Sequence, residues 1–336
     1  MTIIVRPDGP IPAKIMIVGE APGADEERIG TPFVGASGQE LNKMLHEAGI
    51  TRSECFVTNV ARERPLGNDI GQFIAMKKKD ITLDHKLVRD RYVKRPIIDG
   101  LALLKTEIEQ VKPNIILALG NTSMWALTGK WGVNKWRGSM LRSDGFVGPP
   151  GVKVIPAIHP AAVLYEWSYR ATVVNDFRRA ARFRNGADYP QPNWNFIVRP
   201  TFQQAISTLD KLLLRAEHEK VPLRLSFDLE TRAGHIACAG ISWTLTNAIC
   251  IPLMCVENKE GFWSIDEEAE IVWRLERLLT HKNVEVVGQN ILYDSQYTYR
   301  HWHFIPNVKQ DTMISQHAVF SDLPKNLGFQ ASMYCD

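Results

Sequence analysis

The sequence predicts an α/β protein of two domains, a doubly wound parallel sheet followed by a smaller domain built on a mixed sheet. Three observations carry that prediction. Short apolar runs alternate with amphipathic stretches through the first half, the rhythm of a parallel sheet with helices on both faces. The chain has 336 residues, enough for two domains at about 150 residues each. Between the halves, residues 186–200 (GADYPQPNWNFIVRP) lose helical periodicity and are punctuated by Pro190, Pro192 and Pro200. The expected division is therefore 1–188, a linker over 189–200, and a second domain over 201–336.

Along the first half, residues 14–19 (KIMIVG) read as a buried strand and 38–48 as an amphipathic helix. A strand over 55–60, a helix over 101–111 and strands over 115–120 and 152–159 follow. In the second half the pattern predicts a helix over 202–219 and strands over 223–229, 236–244 and 248–252. A helix over 266–279 and a strand over 284–288 complete it. Ligands of open parallel sheets bind beyond the carboxyl ends of the strands. Three first-half strands run there into polar or Gly/Pro-rich segments: GEAPG, TNVARERP and HPAAV.

Hydrophobic residues make up 45% and charged residues 23%, which argues against disorder, collagen-like repeats and coiled coil. No apolar run approaches the roughly 18 residues of a membrane span, and the N-terminus does not read as a signal peptide. Five cysteines without a CxxC fit a reducing, cytoplasmic setting. The net charge of +3 hides an asymmetry: residues 1–200 carry 28 Lys+Arg against 20 Asp+Glu, and residues 201–336 carry 12 against 17. A basic half joined to an acidic half points to nucleic acid on one side and cations on the other.

Gly19-Glu20-Ala21-Pro22-Gly23 and Gly30-Thr31-Pro32-Phe33-Val34-Gly35 form a long Gly/Pro loop entering a helix. It supplies what a flipped-out base needs: the Phe33 ring, nearby backbone amides, and the carboxylates Glu20 and Glu26. Asn59, at the end of the second strand, could bind the amide edge of a base. His159, at the end of the fourth, could donate a hydrogen bond to a departing oxyanion. The set GEAPG, GTPFVGASGQEL, TNVARERPLGND and HPAAVL resembles the family 4 uracil-DNA glycosylases over roughly residues 10–185. By that resemblance Glu20, Asn59 and His159 are catalytic, and Phe33, Glu26, Gly19 and Pro32 form the uracil pocket. Members of the family usually hold a four-cysteine iron–sulfur cluster. Here Arg62 or Glu63 stands where one cysteine would be expected, so no cluster is expected. The insertion 72–95 is basic, and its Lys77, Lys78, Lys79, Arg89 and Arg91 are candidate DNA-backbone contacts.

In the second half, Asp228-Leu229-Glu230-Thr231 closes an alternating strand, so both carboxylates share one face. GQNILYD over 288–294 and Asp311-Thr312-Met313 follow. Together they resemble the 3′–5′ (DEDD) exonuclease domain of family A DNA polymerases, with a ribonuclease H-like fold. The resemblance implies Asp228, Glu230 and Asp294 as ligands for Mg²⁺ or Mn²⁺, Asn290 in support, and Asp311 as structural. The fourth carboxylate of that family, on a late helix, has no counterpart at the right spacing; only Asp322 and Asp336 remain. The expectation is a glycosylase joined to an exonuclease domain incomplete at its C-terminus, as in phage-type replication fusions. DNA and a polymerase domain or subunit are the expected partners, with no membrane. A non-catalytic uracil- or DNA-binding module and a nuclease with an inert glycosylase-like domain are the alternatives.

Overall fold

The computed structural model describes residues 3–186, 188–189 and 191–335. It divides into two units, Met1–Tyr189 with Ala331–Asp336, and Pro190–Gln330.

The first unit runs β1 (Ile15–Gly19), α1 (Ala24–Ile29), α2 (Ala36–Glu47), β2 (Cys55–Asn59), β3 (Lys86–Val88), β4 (Arg91–Val93), α3 (Arg95–Val111) and β5 (Ile115–Leu119). It continues through α4 (Asn121–Thr128), α5 (Val133–Trp136), β6 (Leu141–Arg142), β7 (Lys153–Ala157), α6 (Pro160–Tyr165) and α7 (Tyr169–Phe183). The main sheet has the order β2-β1-β5-β7-β6, parallel except for β6. The four long strands are buried throughout, as a sheet covered on both faces requires. Their period of two sorts the side chains into two cores. Met16, Val18, Phe56 and Ile116 pack with Ile97, Leu104 and Trp125. Ile15, Ile17, Val57 and Leu117 pack with Leu41, Leu45 and Phe177.

Three local differences from the sequence reading have simple causes. Helix α3 begins at Arg95 rather than 101 because Pro96 suits the first turn of a helix. The strand expected over 152–159 ends at Ala157, since Pro160 opens α6 and leaves His159 extended as its N-cap. The basic insertion is structured, with β3 and β4 paired antiparallel and Ile74 bridged to Val93, both fully buried.

The second unit runs β8 (Asn195–Val198), α8 (Phe202–His218), β9 (Leu223–Arg232), β10 (His235–Ser242), β11 (Asn247–Pro252) and α9 (Ile265–Leu279). Then come β12 (Val284–Gly288), α10 (Ile291–Trp302), β13 (Val308–Asp311) and α11 (Thr312–Val319); the last helix, α12 (Leu327–Tyr334), belongs to this unit only as far as Gln330. Its mixed sheet has the order β13-β12-β9-β10-β11-β8, with β9, β10 and β11 antiparallel and the outer strands joined in parallel. Leu223, Leu225, Phe227 and Leu229 of β9 face the core with Leu209 and Leu275, and the other face of the strand is polar. The segment expected to be linker contains β8, which covers the open edge of β11. Pro190, expected within it, lies outside the described residues. Among the described residues no helix is long and apolar enough to cross a membrane.

Candidate active site

The candidate site of the first unit lies where β1, β2, β5 and β7 end. Parallel register sets Gly19 beside Asn59. A Cβ on Gly19 would come within 2.2 Å of Asn59 Oδ1 and 2.6 Å of Phe33 Cζ, so the bare backbone lets the ring and the carboxamide approach. Phe33 is buried in the left-handed region at φ 56°, a conformation unfavourable for an aromatic residue and over-determined by its surroundings. Gly38 packs onto it so closely that a Cβ there would meet the Phe33 carbonyl oxygen at 1.9 Å.

Glu26 holds this loop. Its Oε2 accepts from Gly23 N at 3.1 Å, and its Oε1 from Val34 N at 3.0 Å and Gly35 N at 2.9 Å. Both oxygens are therefore committed to backbone amides, and the residue read as a pocket acid positions the loop that carries Pro32 and Phe33. Glu20 is held from a helix: its Oε1 accepts from Thr122 N at 2.8 Å, at the amino end of α4, where backbone N–H groups favour an anion. Thr122 was not singled out in the sequence. The Gly-Asn-Thr-Ser run after an apolar strand was the available signal.

Two buried polar atoms here have no hydrogen-bond partner among the described residues, Asn59 Oδ1 and Thr122 Oγ1. An orphaned buried acceptor costs about 1–3 kcal/mol. His159 is half-buried, and its ring stacks near Phe33 with centroids 5.7 Å apart and planes 29° from parallel. Its Nδ1 accepts from Ala161 N at 3.2 Å, which leaves the proton of the neutral ring on Nε2. Burial lowers the imidazole below its usual range, outweighing the nearby carboxylates Glu20 and Glu26.

Arg62 is buried and its Nη2 pairs with Glu107 at 2.6 Å, with Thr58 Oγ1 also bonded to the guanidinium. A charged network thus fills the place where a cluster cysteine would be expected. Lys77, Lys78 and Lys79 are exposed, but the arginines of the insertion are engaged in the fold. Arg89 pairs with Asp144 and donates to Trp125 O at 3.1 Å. Arg91 lies over Trp131. Asp90 accepts from Trp125 Nε1 at 2.8 Å. The hairpin is stapled to α4, and Arg89 is a structural residue rather than a free phosphate contact.

In the second unit Asp228 and Glu230 are exposed on one face of β9, whereas Asp294 of α10 is buried. Asp294 Oδ1 accepts from Leu229 N at 2.7 Å. Burial, with Asp228 and Asp311 adding repulsion, pushes the Asp294 carboxyl up to about 6. Burial and Glu230 raise Asp228 too. Asp311 accepts from Asn290 N and Ile291 N at 3.0 Å each and from Met313 N at 2.8 Å, tying α10 and α11 to β13. Asn290 itself is a left-handed N-cap at φ 56°. Asp322 is exposed and Asp336 lies outside the described residues. Oxygen donors of this kind suit a hard divalent cation. Among the described residues no group of three or more His, Cys, Asp or Glu side chains gathers as a metal site, while Asp228 and Asp311 lie near enough to Asp294 to raise its carboxyl.

Residues 6–181 match the Uracil DNA glycosylase superfamily. The type-4 uracil-DNA glycosylase of Sulfurisphaera tokodaii is 33% identical over 171 residues, 50% of this chain and 68% of that protein. A DNA polymerase of Bacillus phage SP01 is 26% identical over 224 residues, 65% of this chain and 21% of the polymerase. Among solved structures, the catalytic core of RRP6 from Trypanosoma brucei has a TM-score of 0.33 at 14% identity, covering 44% of this chain and 36% of that one.

Proposed function

Since the chain belongs to the Uracil DNA glycosylase superfamily through residues 6–181, we propose that its first unit hydrolyses the N-glycosidic bond of uracil in DNA. The observation that carries this reading is the orphaned Asn59 Oδ1 beside the Phe33 ring and the bare Gly19. Uracil turned out of the strand stacks on Phe33. Its N3–H donates to Asn59 Oδ1, and its O4 accepts from the Asn59 amide. Cytosine presents an acceptor at N3 and a donor at C4, so it would leave the carboxamide mismatched, and selectivity follows from satisfying a buried acceptor.

The reaction needs charge stabilisation rather than a covalent nucleophile. As the bond from C1′ to N1 breaks, the electron pair stays on uracil and negative charge grows on O2. The Nε2–H of neutral His159 donates to it, an interaction that strengthens in the transition state. Glu20, fixed through Oε1 by Thr122, has Oε2 to orient the water whose oxygen bonds to C1′. The proton released by that water balances the charge on the departing base.

Uracil release from a single-stranded uracil oligonucleotide, with and without EDTA, tests the proposal. Free uracil should appear at the same rate in both. DNA binding without release would leave a non-catalytic module.

A second activity is favoured by the phage polymerase relative, whose matched length exceeds that of residues 6–181 and extends into the second unit. That likeness, with the acidic face of β9, supports an origin in a 3′–5′ exonuclease domain of a replication fusion, with a polymerase domain or subunit as partner. Mg²⁺ or Mn²⁺ would be its cofactor and the cytoplasm its setting. Asp228, Glu230 and Asp294 are the residues that would hold the cation, and EDTA-sensitive degradation of DNA by this chain tests that reading.

A further inference from the structure

The segment over 129–136 (GKWGVNKW) is pinned to the elements that carry the pocket. Asn121 Oδ1 accepts from Gly132 N at 3.0 Å and Val133 N at 2.7 Å, and the next residue, Thr122, holds Glu20. Past the segment, Gly138 N donates to Pro156 O at 2.9 Å on β7, just ahead of His159. The segment is therefore fixed to α4 and β7, the elements next to Glu20 and His159.

Its charges are arranged unusually. Lys130 Nζ lies 4.2 Å from the centroid of the Trp136 ring, and Lys135 Nζ lies 5.7 Å from the same centroid. Both lysines are exposed, and neither forms an ion pair among the described residues. Both ammonium groups thus lie against the same indole ring with no carboxylate on either among the described residues, and each is available to an anion. Alongside, Arg91 lies 4.4 Å over Trp131, its charge only partly met by Asp90 at 3.5 Å. Cations interleaved with indole rings match a nucleic-acid strand, which offers phosphates and base faces in alternation.

We propose that Lys130 and Lys135, supported by Trp136, bind a backbone phosphodiester of the DNA strand flanking the nucleotide in the pocket. The proposal rests on reading that pocket as a site for a DNA base. Lys130 and Lys135 supply the charge, and Trp136 packs against both ammonium groups. These residues position DNA and do not touch the reacting atoms.

The test is fluorescence anisotropy of the full chain with a uracil-free single-stranded oligonucleotide over a series of salt concentrations. Wild type is compared with Lys130→Gln/Lys135→Gln, with Trp136→Leu, and with the charge-matched control Lys105→Gln/Lys211→Gln. Unchanged thermal melting confirms that each variant folds. The Lys130/Lys135 variant should bind about 10-fold more weakly at low salt, and its slope of log K against log salt should be shallower by about 0.7, the change for one lost phosphate contact on a single strand. Trp136→Leu should lose several-fold in affinity with less change in slope, and the control should match wild type. Equal slopes in the Lys130/Lys135 variant and wild type would overturn the site, as would displacement of the oligonucleotide by inorganic phosphate at matched ionic strength. Because the probe lacks uracil, a shallower slope without any uracil release would leave this site standing and sink the glycosylase reading. Uracil release with an unchanged slope would do the reverse.

Discussion

A Cβ on Gly19 would stand 2.2 Å from Oδ1 of Asn59, so the carboxamide occupies the space that a side chain at the end of the neighbouring strand would fill. The contact also sets a limit on Phe33, whose ring tip would be 2.6 Å from the same Cβ.

Gly19→Ala should therefore lower uracil release by about 10²-fold, the cost of misplacing a positioning group by an ångström. The clash is with side-chain ends, which can swing away, so the melting temperature should change little. Gly38→Ala makes the contrast: its Cβ would meet backbone, the Phe33 carbonyl, at 1.9 Å, and both activity and stability should fall. Wild-type release by Gly19→Ala would refute the pocket.

His159→Ala should lower release by about 10²-fold, as the loss of one oxyanion donor does. Burial holds the imidazole below its ordinary range, so it stays neutral through neutral pH, and wild-type activity should fall only on the acid side of the usual histidine value. The sign for stability agrees. The unfolded chain binds this proton first, so stability is lost as the pH falls below the usual value toward the lowered folded one. A pH series of melting temperatures should show that acid-side loss in wild type and a smaller one in His159→Ala.

The buried Arg62–Glu107 pair should behave as a unit. Arg62→Ala should cost about 3–5 kcal/mol because it leaves Glu107 uncompensated, and Arg62→Met/Glu107→Leu should recover most of that loss. Denaturant titration measures both. The purified chain should carry no stoichiometric iron, and iron–sulfur absorption in its spectrum would overturn the reading of Arg62 as a substitute for a cluster ligand.

Asp294→Asn should stabilise the second unit at pH 7.5 by roughly 3 °C, the worth of about 1 kcal/mol in a unit of its size. The substitution keeps the oxygen that accepts from Leu229 N and removes a charge that burial disfavours and Asp228 and Asp311 oppose. A carboxyl raised to about 6 in the folded state contributes stability when protonated, and that contribution is lost as the pH rises through about 6. The gain should therefore shrink as the pH is lowered through the same range. Mg²⁺-dependent 3′–5′ degradation by residues 1–336, abolished by Asp228→Ala, would establish that these carboxylates hold the cation.

The strand ends bearing Glu20, Asn59 and His159 were legible because a buried parallel strand is a local apolar run and its polar end stands out. Phe33 was legible through the Gly/Pro loop around it. Thr122 was not, since it acts through a backbone N–H that every residue but proline carries. Arg89 and Arg91 read as DNA-backbone contacts on a basic insertion. Their partners Asp144, Trp125 and Trp131 come from other elements, and no local pattern announces a staple across that separation. The strand Asn195–Val198 hid in a proline-flanked stretch because pairing with β11 makes it a strand.

By itself the sequence determined which chemical groups stand at which strand ends and the alternation of the acidic strand. These follow from residue identity and from periods of two and 3.6 along one chain. Tertiary structure alone decided which groups are spoken for. It committed both oxygens of Glu26 to loop amides, turned His159 so that Nε2 keeps the proton, left Oδ1 of Asn59 without a donor among the described residues, and buried Asp294 behind the Leu229 amide. The reason is physical: a polar atom is satisfied or orphaned by neighbours from distant parts of the chain, and only packing brings those neighbours within hydrogen-bond reach.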